Sequence, residues 1–285
     1  MYSEKNRHSP VEPISFPEDP KVPRKVYISP LSRRQDADVF WEEINPMWQG
    51  YPDPESLSEI ELEMIKDLNS LRFCTGIQLS REYLAKEKKG TKQKNLLQAC
   101  KKRLKKLSQH GIIIRHLMKA GKKDAALYTL GPAGAKILDV PFTPNWWLDR
   151  TAYRVLRQLL SVHLFFRLKK LDPKTKYEAT PQPFNGIIFF KDLYFLICII
   201  NGEGVHPELR WEKDKRIIMI AETLEEAEKT AKELKDMPGI RYTTDYDVLR
   251  IELYRALSKY DKKLGRLKPT KIASLTANSQ VSQLL

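Results

Sequence analysis

From position 56 onward, apolar residues recur at steps of three and four. Ile60, Met64, Ile65, Leu68 and Leu71 share one face, which predicts an amphipathic helix over 56–73. Ser58-x-x-Glu61 supplies a capping box at its start. A second helix is predicted over 76–87, broken by Gly90. A third runs from about Thr91 to 110, with Leu97, Cys100, Leu104 and Leu107 as its buried stripe and Gly111 as a left-handed cap. The period then changes to that of strands in IIIRHLMK (112–119) and AALYTL (125–130), joined by the basic connection KAGKKDA. GPAGAKIL (131–138) opens a last short helix with Pro132 in its first turn. Helix, helix, helix, strand, basic tip, strand, helix is the layout of a winged helix-turn-helix module.

In the second half, PFTPNWWLDR (141–150) has the composition of a hinge. A long helix over 147–169 follows, with Leu148, Ala152, Leu156, Leu159, Leu160 and Leu164 on one face and Val155, Val162, Phe165 and Phe166 broadening it. So wide an apolar face requires cover on more than one side, from the chain's own sheet or from a partner chain; a homodimer is expected, since winged-helix proteins often read symmetric sites. GIIFF (186–190) and LYFLICII (193–200), linked tightly by Lys191-Asp192, form a predicted β-hairpin. RIIMIAE (216–222) and GIRYTT (239–244) are further strands, TLEEAEKTAKELKDM (223–237) an amphipathic helix, and DYDVLRIELYRAL (245–257) another helix. Four segments result: a partly disordered proline-rich arm (1–54), in which ADVFWEEINPMW (37–48) is expected to form a short helix; a winged helix-turn-helix (55–140); an α/β domain with its linking helix (141–261); and a disordered tail (262–285). The fold class expected is α+β, with a small mixed α/β domain after the winged helix.

Charge changes the picture in one place. The chain carries a formal net charge of +14 with a pI of about 9.5. Residues 88–123 hold thirteen Lys and Arg and no Asp or Glu. A solvated helix face ordinarily mixes both signs, because opposite charges at i,i+4 support it. In the third helix Lys94, Gln98, Lys101 and Lys105 repeat on a face separate from the leucines, so the lysines point outward. A single-sign row of this kind suits a polyanion, and double-stranded DNA is the expected partner. In a helix-turn-helix this helix enters the major groove with its first residues near base edges. Lys92, Gln93, Asn95 and Gln98 are placed to reach bases. Lys94, Lys101, Lys102, Lys105 and Lys106 are placed to meet phosphates, and Lys119, Lys122 and Lys123 at the hairpin tip to meet an adjacent backbone. The competing reading is a basic module that contacts another protein.

The order of parts resembles the plasmid replication-relaxation family of Gram-positive mobile elements. The residues that carry the likeness are LSEIELEMIKDLNSLRFCTGIQL, KKRLKKLSQHGIIIR and LYTLGPAGAKIL, followed by the long helix LDRTAYRVLRQLLSVHLFFRL, over roughly 56–260. The resemblance implies an N-terminal winged helix and a C-terminal domain similar to restriction-endonuclease-like folds. It also implies a role in plasmid or mobile-element replication or DNA processing, with replication or conjugation proteins as partners, or alternatively in transcriptional regulation of the element.

Such nuclease domains place carboxylates on the central hairpin to hold Mg²⁺. Here the first-strand position reads Pro183-Phe184-Asn185-Gly186, and the second strand has none; Asp192 and Glu203 only flank it. A non-enzymatic protein without cofactor is therefore expected, with a metal-dependent endonuclease as the alternative. No GxxxxGK[ST], GxSxG or HExxH is present. The tyrosines Tyr153, Tyr177, Tyr194, Tyr242 and Tyr246 lack the paired histidines of a relaxase. Cys74, Cys100 and Cys198 are an odd, unspaced set that fits neither a disulfide framework nor a zinc site, and Cys198 is expected in the core. His110 and His116 do not match a metal-ligand spacing. The first residues carry no apolar signal region, and FLICII (195–200) is too short to span a bilayer, so a cytoplasmic location without membrane contact is expected.

Overall fold

The computed structural model describes residues 37–48, 57–84, 93–120, 123–200, 205–212, 214–251 and 253–270. It is a mixed α+β structure built on two sheets. The first is four-stranded and antiparallel, in the order β1-β3-β4-β2, from β1 (Ala37–Phe40), β2 (Cys74–Thr75), β3 (Ile113–Ala120) and β4 (Lys123–Leu130). Around it lie α1 (Glu59–Leu71), α2 (Gly76–Leu79) with a π-helical continuation Ser80–Leu84, α3 (Gln93–Gln109) and α4 (Pro132–Leu138). The capping box forms as the spacing predicts: Ser58 Oγ accepts from Glu61 N–H and the Glu61 carboxylate accepts from Ser58 N–H. A second one, Thr75 with Gln78, starts α2. Gly111 has φ 71 after α3, as its cap position requires.

Of the proline-rich arm, 1–36 and 49–54 lie outside the described residues, and its described part departs from the predicted form. Residues 37–48 are not a helix. Ala37–Phe40 pairs with β3, with Ala37 opposite Ala120 and Phe40 opposite Leu117. β3 has an open edge there, and an alternating segment supplies the ladder partner that an exposed edge otherwise lacks.

The second sheet has seven strands in the order β11-β10-β9-β8-β7-β6-β5. They are β5 (Lys176–Glu178), β6 (Gly186–Phe190), β7 (Leu193–Ile200), β8 (Ile217–Ala221), β9 (Ile240–Thr244), β10 (Ser258–Asp261) and β11 (Arg266–Pro269). β7, β8 and β9 are parallel, and the remaining neighbours are antiparallel. α5 (Ala152–Leu171) covers one face and α6 (Leu224–Glu233) the other. The period of two divides β7 between them: Ile197 and Ile199 join the cluster of Leu160, Leu164 and Phe165, while Leu196, Cys198 and Ile200 join Ala227 and Ala231. A sheet covered on both faces explains why LYFLICII and IIMIA read as unbroken apolar runs. Cys198 is core, and burial pushes its thiol up to about 12.

The long helix begins at Ala152, later than its periodicity predicts, because Thr151 caps it. Leu148 stays in the preceding turn and is 42% exposed. The wide apolar face of α5 is filled within the chain, by the second sheet on one side and the first unit on the other. Lys169 Nζ bridges Asp67 and Glu63 of α1, and Lys170 Nζ lies 2.8 Å from Glu82. Arg167 donates to main-chain carbonyls of Asp247, Val248 and Ile251 in and after α7 (Asp245–Arg250).

Three further expectations give way. The 141–150 segment is no hinge: Trp147 is fully buried and donates to the Glu42 carbonyl at 2.9 Å, Asn145 makes two 2.9 Å hydrogen bonds to Ile44, and Trp41 donates to the Arg150 carbonyl at 3.0 Å. The predicted helix 245–257 is interrupted at Ile251, giving α7 and α8 (Leu253–Ala256). The start of the predicted disordered tail is ordered, since Arg266–Pro269 pairs with Ser258–Asp261; 271–285 lie outside the described residues. Among the described residues no helix is long and apolar enough to cross a membrane.

Candidate nucleic acid interface

α3 divides its two stripes as its sequence predicts. Cys100, Leu104 and Leu107 are 3%, 1% and 2% exposed and pack into the core beside α1. Lys101, Lys102, Lys105 and Lys106 are exposed, as is Gln98. Of the seven cations in 88–123 whose side chains are described, six are exposed. The seventh, Arg103, forms a forked ion pair with Glu61, which is 2% exposed. Burial alone would raise the Glu61 carboxyl, but Arg103 and the Ser58 main-chain and hydroxyl donors outweigh it and hold the group below its usual range. One arginine is thus spent on fixing α3 to α1, and among the described residues no carboxylate pairs with the four lysines.

The rest of the predicted site is placed unevenly. Gln93, Lys94 and Asn95 lie in the first turn of α3, without described side chains; Lys123 begins β4, likewise; Lys92 and Lys122 lie outside the described residues. Lys119 is exposed on β3, 4.9 Å over the ring of Phe40, and stands across from Asp38. Its partner strand β1 was invisible in the periodicity, and so was this neighbour. His116 is no ligand. Its Nδ1 accepts from Glu42 N–H at 3.1 Å, which leaves Nε2 to donate to Thr129 Oγ1 at 3.0 Å, and burial pushes its pKa down to about 3. Among the described residues no group of three metal-ligating side chains forms.

A second cationic locus is not apparent from the sequence. A cleft of about 910 Å³ opens between α1, the 141–150 segment, the start of α5 and the 179–185 loop. Among the described residues, four arginines line it, Arg72, Arg150, Arg154 and Arg157, with no Lys, Asp or Glu. Arg72 is the centre of a γ-turn at φ 67 and ψ −49, closed by Phe73 N–H donating to the Leu71 carbonyl at 2.8 Å. Such a turn at a residue with a Cβ costs roughly 1–3 kcal/mol. Gln158 of α5 donates to the same carbonyl at 3.2 Å, and the Arg72 guanidinium lies 5.5 Å over the Trp146 ring. Arg150, Arg154 and Arg157 recur at steps of four and three where α5 begins, a turn without any acid. Of these, Arg150 and Arg154 lie at the positive helix end, where a cation is unfavourable by about 0.3–1 kcal/mol. Arg157 is 9% exposed, donates to the Ile199 carbonyl and the Tyr153 hydroxyl, and so is fixed in place. The spacing 150, 154, 157 was visible in the sequence; that Arg72 joins it was not.

No family model matches the chain, and no curated protein matches it. Among solved structures, protein VC1899 from Vibrio cholerae aligns over 76% of this chain and 57% of its own length, at 12% identity and a TM-score of 0.27. So slight a likeness sets neither fold nor function, and this chain spans little more than half of that protein.

Proposed function

We propose that the protein docks on double-stranded DNA through the outward face of α3, its first unit working as a winged helix with the β3–β4 hairpin as the wing. The observation that carries this reading is the row Lys101, Lys102, Lys105 and Lys106, exposed and without carboxylate partners among the described residues, over a stripe of buried Cys100, Leu104 and Leu107. Unpaired ammonium groups on a rigid helix release counterions when they meet phosphates. Gln98, exposed on the same helix, is the described residue placed to read a base edge, by paired hydrogen bonds to adenine.

We place the protein at a plasmid or mobile-element locus, as a replication or DNA-processing accessory factor that does not itself cut DNA. Asn185, at the position where a nuclease would carry an acid, accepts from Ile199 N–H at 3.1 Å and so fastens β6 to β7. Asp192 occupies the tip of that hairpin with φ 62, exposed, where its role is to make the turn. Glu203 lies outside the described residues.

Footprinting of the purified protein on genomic and plasmid duplexes tests this. Discrete protected sites are expected, with Gln98→Ala relaxing preference at one position while leaving overall affinity within a few-fold. Uniform protection unaffected by Gln98→Ala would remove sequence reading from the proposal. Mg²⁺-dependent cleavage of supercoiled DNA that disappears in Asp192→Asn or Glu203→Gln would replace the reading with an endonuclease.

A further inference from the structure

The arginine-lined cleft is separate from the lysine face of α3, and its chemistry differs. The lysines of α3 are exposed in a row along one helix, suited to a long backbone. The cleft is concave, and its volume of about 910 Å³ falls in the range of small-molecule sites, roughly 300–1,000 Å³. Among the described residues its cations are all arginine, whose planar forks bind phosphate oxygens in pairs.

Three features there point to a bound anion. Arg72 is held in a strained γ-turn. Arg150 and Arg154 flank the positive end of α5, with Arg157 one turn further on. Among the described residues, no carboxylate pairs with Arg72, Arg150 or Arg154.

The remaining walls specify more than charge. Phe142, Trp146 and Phe184 give flat apolar surfaces, the kind on which a heterocycle stacks. Asn69 and Gln182 add amides able to bond a base edge.

We propose that this cleft binds a nucleoside polyphosphate, phosphates on Arg72, Arg150 and Arg154, base against the aromatic wall. Arg157, anchored to Ile199 and Tyr153, sets the depth of the phosphate end. The cleft is walled by α1 on one side and α5 on the other, so its occupant bridges the two units. The proposal stands independently of DNA docking.

Calorimetric titration of the full chain with ATP in the absence of metal tests it, with adenosine, inorganic tripolyphosphate and a short single-stranded oligonucleotide as further titrants. ATP is expected to bind one to one, and adenosine and tripolyphosphate each at least tenfold more weakly. Arg154→Ala, at an exposed side chain, is expected to lower ATP affinity on the order of tenfold or more, as removal of one charge-assisted hydrogen bond would. Arg72→Ala should do the same, while Lys101→Ala with Lys105→Ala leaves ATP affinity within twofold. No heat from millimolar ATP, or affinity unchanged in both arginine variants, would overturn the site. Tripolyphosphate matching ATP, or the oligonucleotide binding where ATP does not, would overturn the nucleotide assignment.

Discussion

At the scale of single residues, two histidines weaken the fold as the pH falls below 6.5. Burial holds His116 down at about 3; His163 is held at about 4, by burial first and then by Arg167, Lys170 and Arg81. Both lie below the ordinary 6.5, so both are neutral in the fold at pH 7. Below pH 6.5 the unfolded chain takes up protons that the folded chain refuses, and stability falls by up to about 1.4 kcal/mol per pH unit for each histidine. The urea midpoint should therefore hold steady from pH 8 to 7 and drop clearly by pH 5; a midpoint that rises on acidification contradicts this protonation scheme. None of it was legible in the sequence, where His116 is one ring in an alternating strand. Its surroundings are Trp41 and Trp147, each 5.0 Å from its ring centre. These neighbours lie far away along the chain, and periodicity has no access to them. Ser58 and Glu61, three positions apart, were legible because a capping box is local. The second partner of Glu61, Arg103, was not.

At the scale of elements, the 141–150 segment locks the molecule where its composition promised freedom. Trp147 is buried without exposure, its indole N–H on the Glu42 carbonyl, and β1 is held against β3 on the other side of the same junction. Trp147→Ala should cost about 3–5 kcal/mol. It should also loosen β1, seen as faster amide exchange over 37–44 than in the core of α5; exchange in 37–44 indifferent to the substitution would mean that β1 is held by its ladder alone. Regular elements with strong periodicity, α1, α3, β6, β7, β8 and α6, were legible because each shows its buried face in its own sequence. β1, β5, β10 and β11 were not. They are strands of three or four residues whose only reason to be strands is the edge they pair with. The helix expected over 245–257 is broken at Ile251, which is extended at ψ 146, with Arg167 gathering the carbonyls of Asp247, Val248 and Ile251.

At the scale of the whole molecule, a net charge of +14 is distributed by purpose. Some cations are structural: Arg103 on Glu61, Lys169 on Asp67 and Glu63, and Arg167 on backbone carbonyls. A second set faces outward from α3, and a third lines the cleft between the two units. The lysine face was legible because single-sign runs are a property of sequence. The cleft was not, because Arg72 and Arg150 meet only after α1 and α5 pack. The central claim is that α3 meets duplex phosphates, and the most direct measurement is the salt dependence of binding to a labelled duplex, read as the slope of log affinity against log salt concentration. For Lys101→Ala with Lys105→Ala, weaker binding to every sequence is predicted, with a slope shallower by roughly 0.9 for each phosphate that the variant no longer neutralises. A slope identical to that of the unsubstituted protein, or no duplex binding by that protein at low ionic strength, would contradict it.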